Sequence, residues 1–179
     1  MQPNPNLVSD IIIETANRAI LPRFQALADH EVMEKRPGDL VTVADLEAEE
    51  MLEARLTDLI PGSTVVGEEA VHRDTTVFGK LSDDTPLWIV DPVDGTANFA
   101  AGNPIFGTVV AYLEGGEVRA GWIHMPVQGT TVFAVKGGGA LCDGRVIHTS
   151  NPVKIEEMVG LLNLGQFGLN RREKIQKKS

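Results

Sequence analysis

The run Trp88-Ile89-Val90-Asp91-Pro92-Val93-Asp94-Gly95-Thr96-Ala97-Asn98-Phe99 gathers residue types that can do chemistry. Its apolar start predicts a buried strand that delivers Asp91 to a sheet end, where Pro92 stops the strand. Asp94-Gly95-Thr96 then begins a short helix. Two carboxylates three residues apart across a tight turn repel, so they share a proton or hold a cation. The helix start behind them offers the backbone N–H groups of Gly95 and Thr96 to phosphate oxygens. A cation-holding turn joined to an anion-holding turn is what metal-assisted phosphate chemistry requires. A bare D-P-x-D-G is explained equally by a turn residue followed by a helix cap. A second carboxylate motif, Gly67-Glu68-Glu69, follows the strand Thr64–Val66 and could add oxygen ligands of the kind hard cations prefer.

The elements that must position these groups follow from periodicity. Leu7 to Ala28 reads as a helix that Pro22 should kink or split. Asp29 to Asp39, with Lys35-Arg36-Pro37-Gly38-Asp39, reads as a mobile polar loop. Thr42-Val43-Ala44-Asp45 has capping-box spacing and opens a second helix, whose stripe Ala48, Leu52, Leu56, Leu59, Ile60 opposes Glu49, Glu50 and Glu53 until Pro61-Gly62. Short strands follow at Ser63–Val66 and Leu87–Val90. Ile105–Leu113 and Val118–Ile123 form a hairpin about Gly115-Gly116, and Thr130–Val135 adds an antiparallel strand. Two helices before a meander predict an α+β domain, the helices packed on one face of a largely antiparallel sheet. Leu161 to Leu169 reads as the start of another strand.

Asp39-Leu40-Val41-Thr42-Val43-Ala44-Asp45, Gly67-Glu68-Glu69 and the Trp88–Phe99 run, in that order and spacing, resemble the inositol monophosphatase family of magnesium-dependent, lithium-sensitive phosphomonoesterases. The chain resembles the N-terminal two-thirds of that family. The resemblance implies an αβαβα layered sugar-phosphatase fold, with residues 1–150 as the metal- and phosphate-binding domain and 151–179 as the start of a second. It implies Mg2+ as cofactor. Glu68, Asp91 and the Val93 carbonyl would ligate a first ion that activates water, and Asp91 with Asp94 a second at the leaving group. Gly95 and Thr96, beside Asp94, would hold phosphate oxygens, and Thr96 with Asp45 would orient or deprotonate the water. Capping alone would also explain Asp45. The loop around Lys35 and Arg36 would close over the site. Nothing after Gln166 supplies the family's Trp-Asp aspartate, which completes the second metal site, so the chain reads as truncated and its activity as weak.

Charge and composition narrow the remaining classes. Sixteen Lys and Arg against 25 Asp and Glu give −9 overall. Residues 170–179 carry +4, leaving −13 elsewhere, so nucleic acid is a poor partner for the overall field. No apolar run approaches the roughly 18 residues of a membrane span. Asp10 and Glu14 flank Ile11–Ile13 with no basic segment before them, which does not read as a signal peptide. The lone Cys142 fits a reducing, cytoplasmic setting. His30, His72, His124 and His148 share no metal-ligand spacing, and Lys136-Gly137-Gly138-Gly139 lacks the Gly-Lys-Ser/Thr of a P-loop. The family resemblance implies an enzyme that hydrolyses a sugar or polyol phosphate and is a homodimer at full length. Alternatives are a fructose-1,6-bisphosphatase, 3′-nucleotidase or histidinol-phosphatase type, or a non-catalytic metal-binding module.

Overall fold

A computed structural model describes residues 2–76, 79 and 85–159. The predicted strand at Leu161–Leu169 and the basic tail lie outside the described residues. The chain divides into two units, Met1–His148 and Thr149–Ser179. In the second, the described residues include one 3-10 turn, Ile155–Glu157.

Helix α1 spans Pro5–Thr15, with the Asn4 side chain accepting the Asn6 N–H at its start. Ala16–Ile20 is wound as a π-helix and Leu21–Arg23 as a 3-10 turn. Pro22 explains the change. It has no N–H for the carbonyl four residues back, and its ring crowds that turn, so the helix ends at Arg23 rather than running to Ala28. The Arg23 guanidinium donates to the Ala19 carbonyl at 3.0 Å, supplying a bond the broken helix lacks.

The segment expected as a loop is instead a hairpin, β1 (Val32–Arg36) with β2 (Asp39–Thr42). Val32 and Met33 pair with Thr42 and Val41 across the Pro37-Gly38 turn, where Gly38 has φ +82°. The charges between these short apolar pairs hid the strand alternation. The register slips by one residue at Lys35, between the pairs Glu34↔Leu40 and Arg36↔Asp39.

Helix α2, Val43–Leu59, starts as expected, with Thr42 and Asp45 closing a capping box. β3 (Thr64–Gly67) leads into α3 (Glu68–Arg73), and β4 (Leu87–Asp94) into α4 (Thr96–Ala100). Then come β5 (Gly107–Glu114), β6 (Glu117–Met125), β7 (Thr130–Val135), β8 (Gly139–Cys142) and β9 (Arg145–Ile147). One sheet runs β3-β4-β5-β6-β7-β8-β9, parallel only between β3 and β4. The fold is the α+β arrangement read from the sequence.

Helices α1 and α2 cover one sheet face. Val8, Ile11 and Ile12 of α1 and Leu52 and Leu56 of α2 pack on Trp88, Val90, Val110, Tyr112 and Trp122. The indoles of Trp88 and Trp122 stay satisfied by donating to Ser63 Oγ and the Pro5 carbonyl, both at 3.1 Å. A second cluster, Ala16, Ala19, Ile20, Ala44, Ala48, Val93, Phe99 and Phe106, lies beneath the end of β4. Removing a ring such as Phe99 would cost about 3–5 kcal/mol, so the floor under the carboxylates is stiff.

Candidate active site

Parallel pairing of β3 with β4 sets Gly67 opposite Val90, so the next residues, Glu68 just past β3 and Asp91 within β4, come side by side. Pro92 does not stop β4. The strand continues to Asp94 because a proline costs one ladder bond, and the irregularity it introduces falls between Asp91 and Asp94. Gly95 follows at φ +96°, where an added Cβ would stand 3.2 Å from the Ile105 carbonyl oxygen. Only glycine makes this turn cheaply, and it starts α4 directly behind Asp94.

These elements enclose a cleft of about 240 Å³ lined by Asp39, Glu68, Asp91, Val93, Asp94, Gly95 and Thr96. Behind it, Thr96 Oγ1 lies 3.0 Å from both Asp45 Oδ1 and the Val93 carbonyl oxygen, to either of which its single proton can be donated. Glu68, Asp91, Val93, Asp94, Gly95 and Thr96 therefore line one cleft with Asp45 directly behind it, whereas Glu69 does not line it.

The electrostatics are those of anions forced together. Burial pushes the Asp91 carboxyl up to about 8, assisted by the Glu68 charge, a hydrogen bond shared with Glu68, and the charges of Asp94 and Asp45. One oxygen, Asp91 Oδ1, is buried without a hydrogen-bond partner among the described residues. A buried carboxylate oxygen left bare is costly, and a cation is one way to complete it. Asp45, at 1% exposure, is raised by burial, against the opposing hydrogen bonds from Thr42 and Thr96. Its Oδ2 accepts the Thr42 N–H at 2.8 Å and hydroxyl at 2.6 Å, while Oδ1 faces Thr96. The capping and site-facing roles, which looked like alternatives, use different oxygens of one carboxylate.

Two roles were not read from the sequence. Lys35, aimed inward by its register slip, donates to Glu69 Oε1 at 2.9 Å and Glu68 Oε1 at 3.0 Å. Burial opposes its charge, but these bonds prevail and hold the ammonium above its usual range. Glu69, read as a possible ligand, is buried against Lys35. Glu49, assigned to the polar face of α2, is 4% exposed and accepts the N–H groups of Glu69 at 2.8 Å and Ala70 at 2.9 Å. It fixes the start of α3, and an added Cβ on Gly67 would land on its carboxyl group. The spacing Asp45, Ala48, Glu49, Leu52 already places Glu49 on the buried face of the helix. With Glu68 turned to Lys35, no three carboxylate, imidazole or thiol groups among the described residues are drawn up around one point. A cation would therefore compete with Lys35 for Glu68.

The remaining polar candidates are structural. His124 is buried, its Nδ1 2.9 Å from Thr131 Oγ1. Cys142 is half-buried, and its thiol is 3.9 Å from Asp143 Oδ2. No helix among the described residues is long and apolar enough to cross a membrane.

Comparison with known proteins gives the family. The family model described as "Inositol monophosphatase family" matches residues 7–179. A Thermotoga maritima protein named fructose-1,6-bisphosphatase/inositol-1-monophosphatase is 36% identical over 72% of this chain and 47% of its own length. Human inositol monophosphatase 1 is 30% identical over 75% of this chain and 47% of its own length. The chain thus spans about half the length of these relatives. Among solved structures, a Thermotoga maritima IMPase superposes with TM-score 0.68 at 30% identity, covering 81% of this chain and 53% of that one. A Staphylococcus aureus inositol monophosphatase family protein, at 20% identity, shares the fold with TM-score 0.76 over 97% of this chain and 62% of its own. With its carboxylate cleft, its sheet order and the match over residues 7–179, the chain belongs to the inositol monophosphatase family.

Proposed function

We propose that the chain carries the metal and phosphate half of a magnesium-dependent phosphomonoesterase of inositol-1-monophosphatase type, acting on a sugar or polyol phosphate. The observation that supports this most is the buried Asp91 Oδ1, unpartnered among the described residues, in a cleft shared with Glu68, Asp94 and the start of α4. The donor set is all oxygen, which suits Mg2+. Glu68, Asp91 and the Val93 carbonyl would hold one ion, and Asp91 with Asp94 a second. When bound, the ions supply Lewis-acid activation of a water and charge neutralisation at the leaving oxygen.

The chain's own residues do the rest. Gly95 and Thr96 present backbone N–H groups to phosphate oxygens. With Thr96 donating to Asp45 Oδ1, the Thr96 hydroxyl oxygen can accept a hydrogen bond from a water in the cleft. As that water gives its proton to Thr96 Oγ1, the hydroxyl's own proton passes along the 3.0 Å contact to Asp45. Burial raises Asp45, against the hydrogen bonds that oppose it, and so favours its taking up a proton.

The test is phosphate release from a panel of phosphomonoesters, with and without Mg2+. The panel includes inositol 1-phosphate, fructose 1,6-bisphosphate, a nucleotide 3′-phosphate and histidinol phosphate. The fructose ester is included because the Thermotoga relative's name includes that activity. Release that needs Mg2+ and is lost in Asp91→Asn supports the reading. Magnesium binding without release from any ester would favour a non-catalytic metal-binding module. Release that is indifferent to Mg2+ would contradict both.

A further inference from the structure

Asp91 and Asp94 are three residues apart on one strand. In a regular strand their side chains would leave opposite faces. The pairs Asp91↔Val109 and Asp94↔Gly107 show how they come to share one cleft. Two residues of β4, Pro92 and Val93, stand opposite one residue of β5, Thr108. This is a β-bulge, and its extra residue resets the alternation. Val93 drops into the apolar cluster beneath the site, and Asp94 returns to the side of Asp91.

Such a bulge leaves backbone groups without ladder partners, and here it lies in buried chain. Thr108 fills that need. It is 0% exposed, and its hydroxyl donates to the Pro92 carbonyl at 2.8 Å, across 16 residues of sequence. The next inward residue of the same strand is the apolar Val110, in the core. A hydroxyl there needs a partner, and the partner it has is the bulge.

From this contact we infer that Thr108 is a positioning residue, which holds the Pro92-Val93 bulge and thereby sets Asp91 against Asp94. It does not touch the cleft. Its bearing on cation binding rests on the phosphatase reading above, whereas its hold on the bulge does not.

Thr108→Val keeps the shape and removes the donor, and Thr108→Ser keeps the donor. Deuterium exchange is followed by mass spectrometry over residues 91–97, with residues 48–56 of α2 as internal reference, in the metal-free full chain. Orphaning the Pro92 carbonyl should speed exchange over 91–97 about tenfold relative to α2 in Thr108→Val, with Thr108→Ser close to the parent. Calorimetric titration with Mg2+ should show an affinity about tenfold weaker in Thr108→Val only. Exchange that rises equally in both segments, or a serine variant that behaves like the valine one, would overturn the inference. If the parent chain fails to bind Mg2+, the magnesium reading fails, while the exchange contrast still decides the role of Thr108.

Discussion

Without a divalent cation, the carboxylate cleft should make the protein less stable as pH rises through neutrality. The Asp91 carboxyl moves from 3.8, its ordinary value, to about 8 in the fold. Between those limits the folded chain holds a proton that the unfolded chain has lost, so unfolding releases it and stability falls with pH. The contribution is complete below the unfolded value and is gone once pH passes about 8. One proton gives at most about 1.4 kcal/mol per pH unit. Asp91 shares its proton with Glu68 and is not fully enclosed, so a loss of about 1–3 kcal/mol from pH 6 to 8 is expected. Asp45, Glu49 and Glu69 are raised as well and act with the same sign, so wild type alone does not isolate Asp91. Asp91→Asn does, because it removes that titration while nearly preserving shape. Urea unfolding with chelator at pH 6, 7 and 8 should give a steeper decline for wild type than for Asp91→Asn, and saturating Mg2+ should abolish the difference. Parallel declines, or wild type gaining on the variant as pH rises, would refute the picture of carboxylates held together at a cost.

Three further outcomes follow from the contacts around the cleft. Asp45→Asn should lower both stability, by about 1 kcal/mol through the capping box, and the turnover of any Mg2+-dependent hydrolysis, with little change in KM; a loss confined to stability would remove Asp45 from the proton path. Lys35→Gln leaves Glu69 buried without its cation and should cost about 2–4 kcal/mol by chemical denaturation, while freeing Glu68 and strengthening Mg2+ binding; unchanged or weaker binding would show that Lys35 does not compete with the cation. Gly67→Ala must displace the Glu49 carboxyl from the N–H groups of Glu69 and Ala70, and a melting curve should report a loss of about 1–3 kcal/mol; wild-type stability would mean Glu49 does not anchor α3.

Much of this arrangement was legible because short-range chemistry dictates it. Thr42 and Asp45 are a capping pair wherever such spacing opens a helix, and the structure has them as one. The meander was readable from its glycine turns and alternating apolar residues. The hairpin Val32–Thr42 was not, since two apolar pairs separated by charges give too short an alternation to read. The course of β4 through Pro92 was missed for a different reason. A proline reads as a strand end, but a bulge opposite Thr108, sixteen residues away, absorbs it. The buried network of Lys35, Glu49 and Glu69 likewise depends on which charges the fold removes from water, and that is settled by tertiary packing rather than by residue type.

The central claim, that Glu68, Asp91 and Asp94 form a divalent-cation site, is tested most directly by calorimetric titration of the chain with Mg2+ at pH 7 in two buffers of different ionisation enthalpy. Binding should release protons, because Asp91 must give up the one it shares with Glu68. It should weaken at least about tenfold in Glu68→Gln and more in Asp91→Asn. Binding without proton release, of equal strength in wild type and both variants, would place any cation elsewhere and contradict the account.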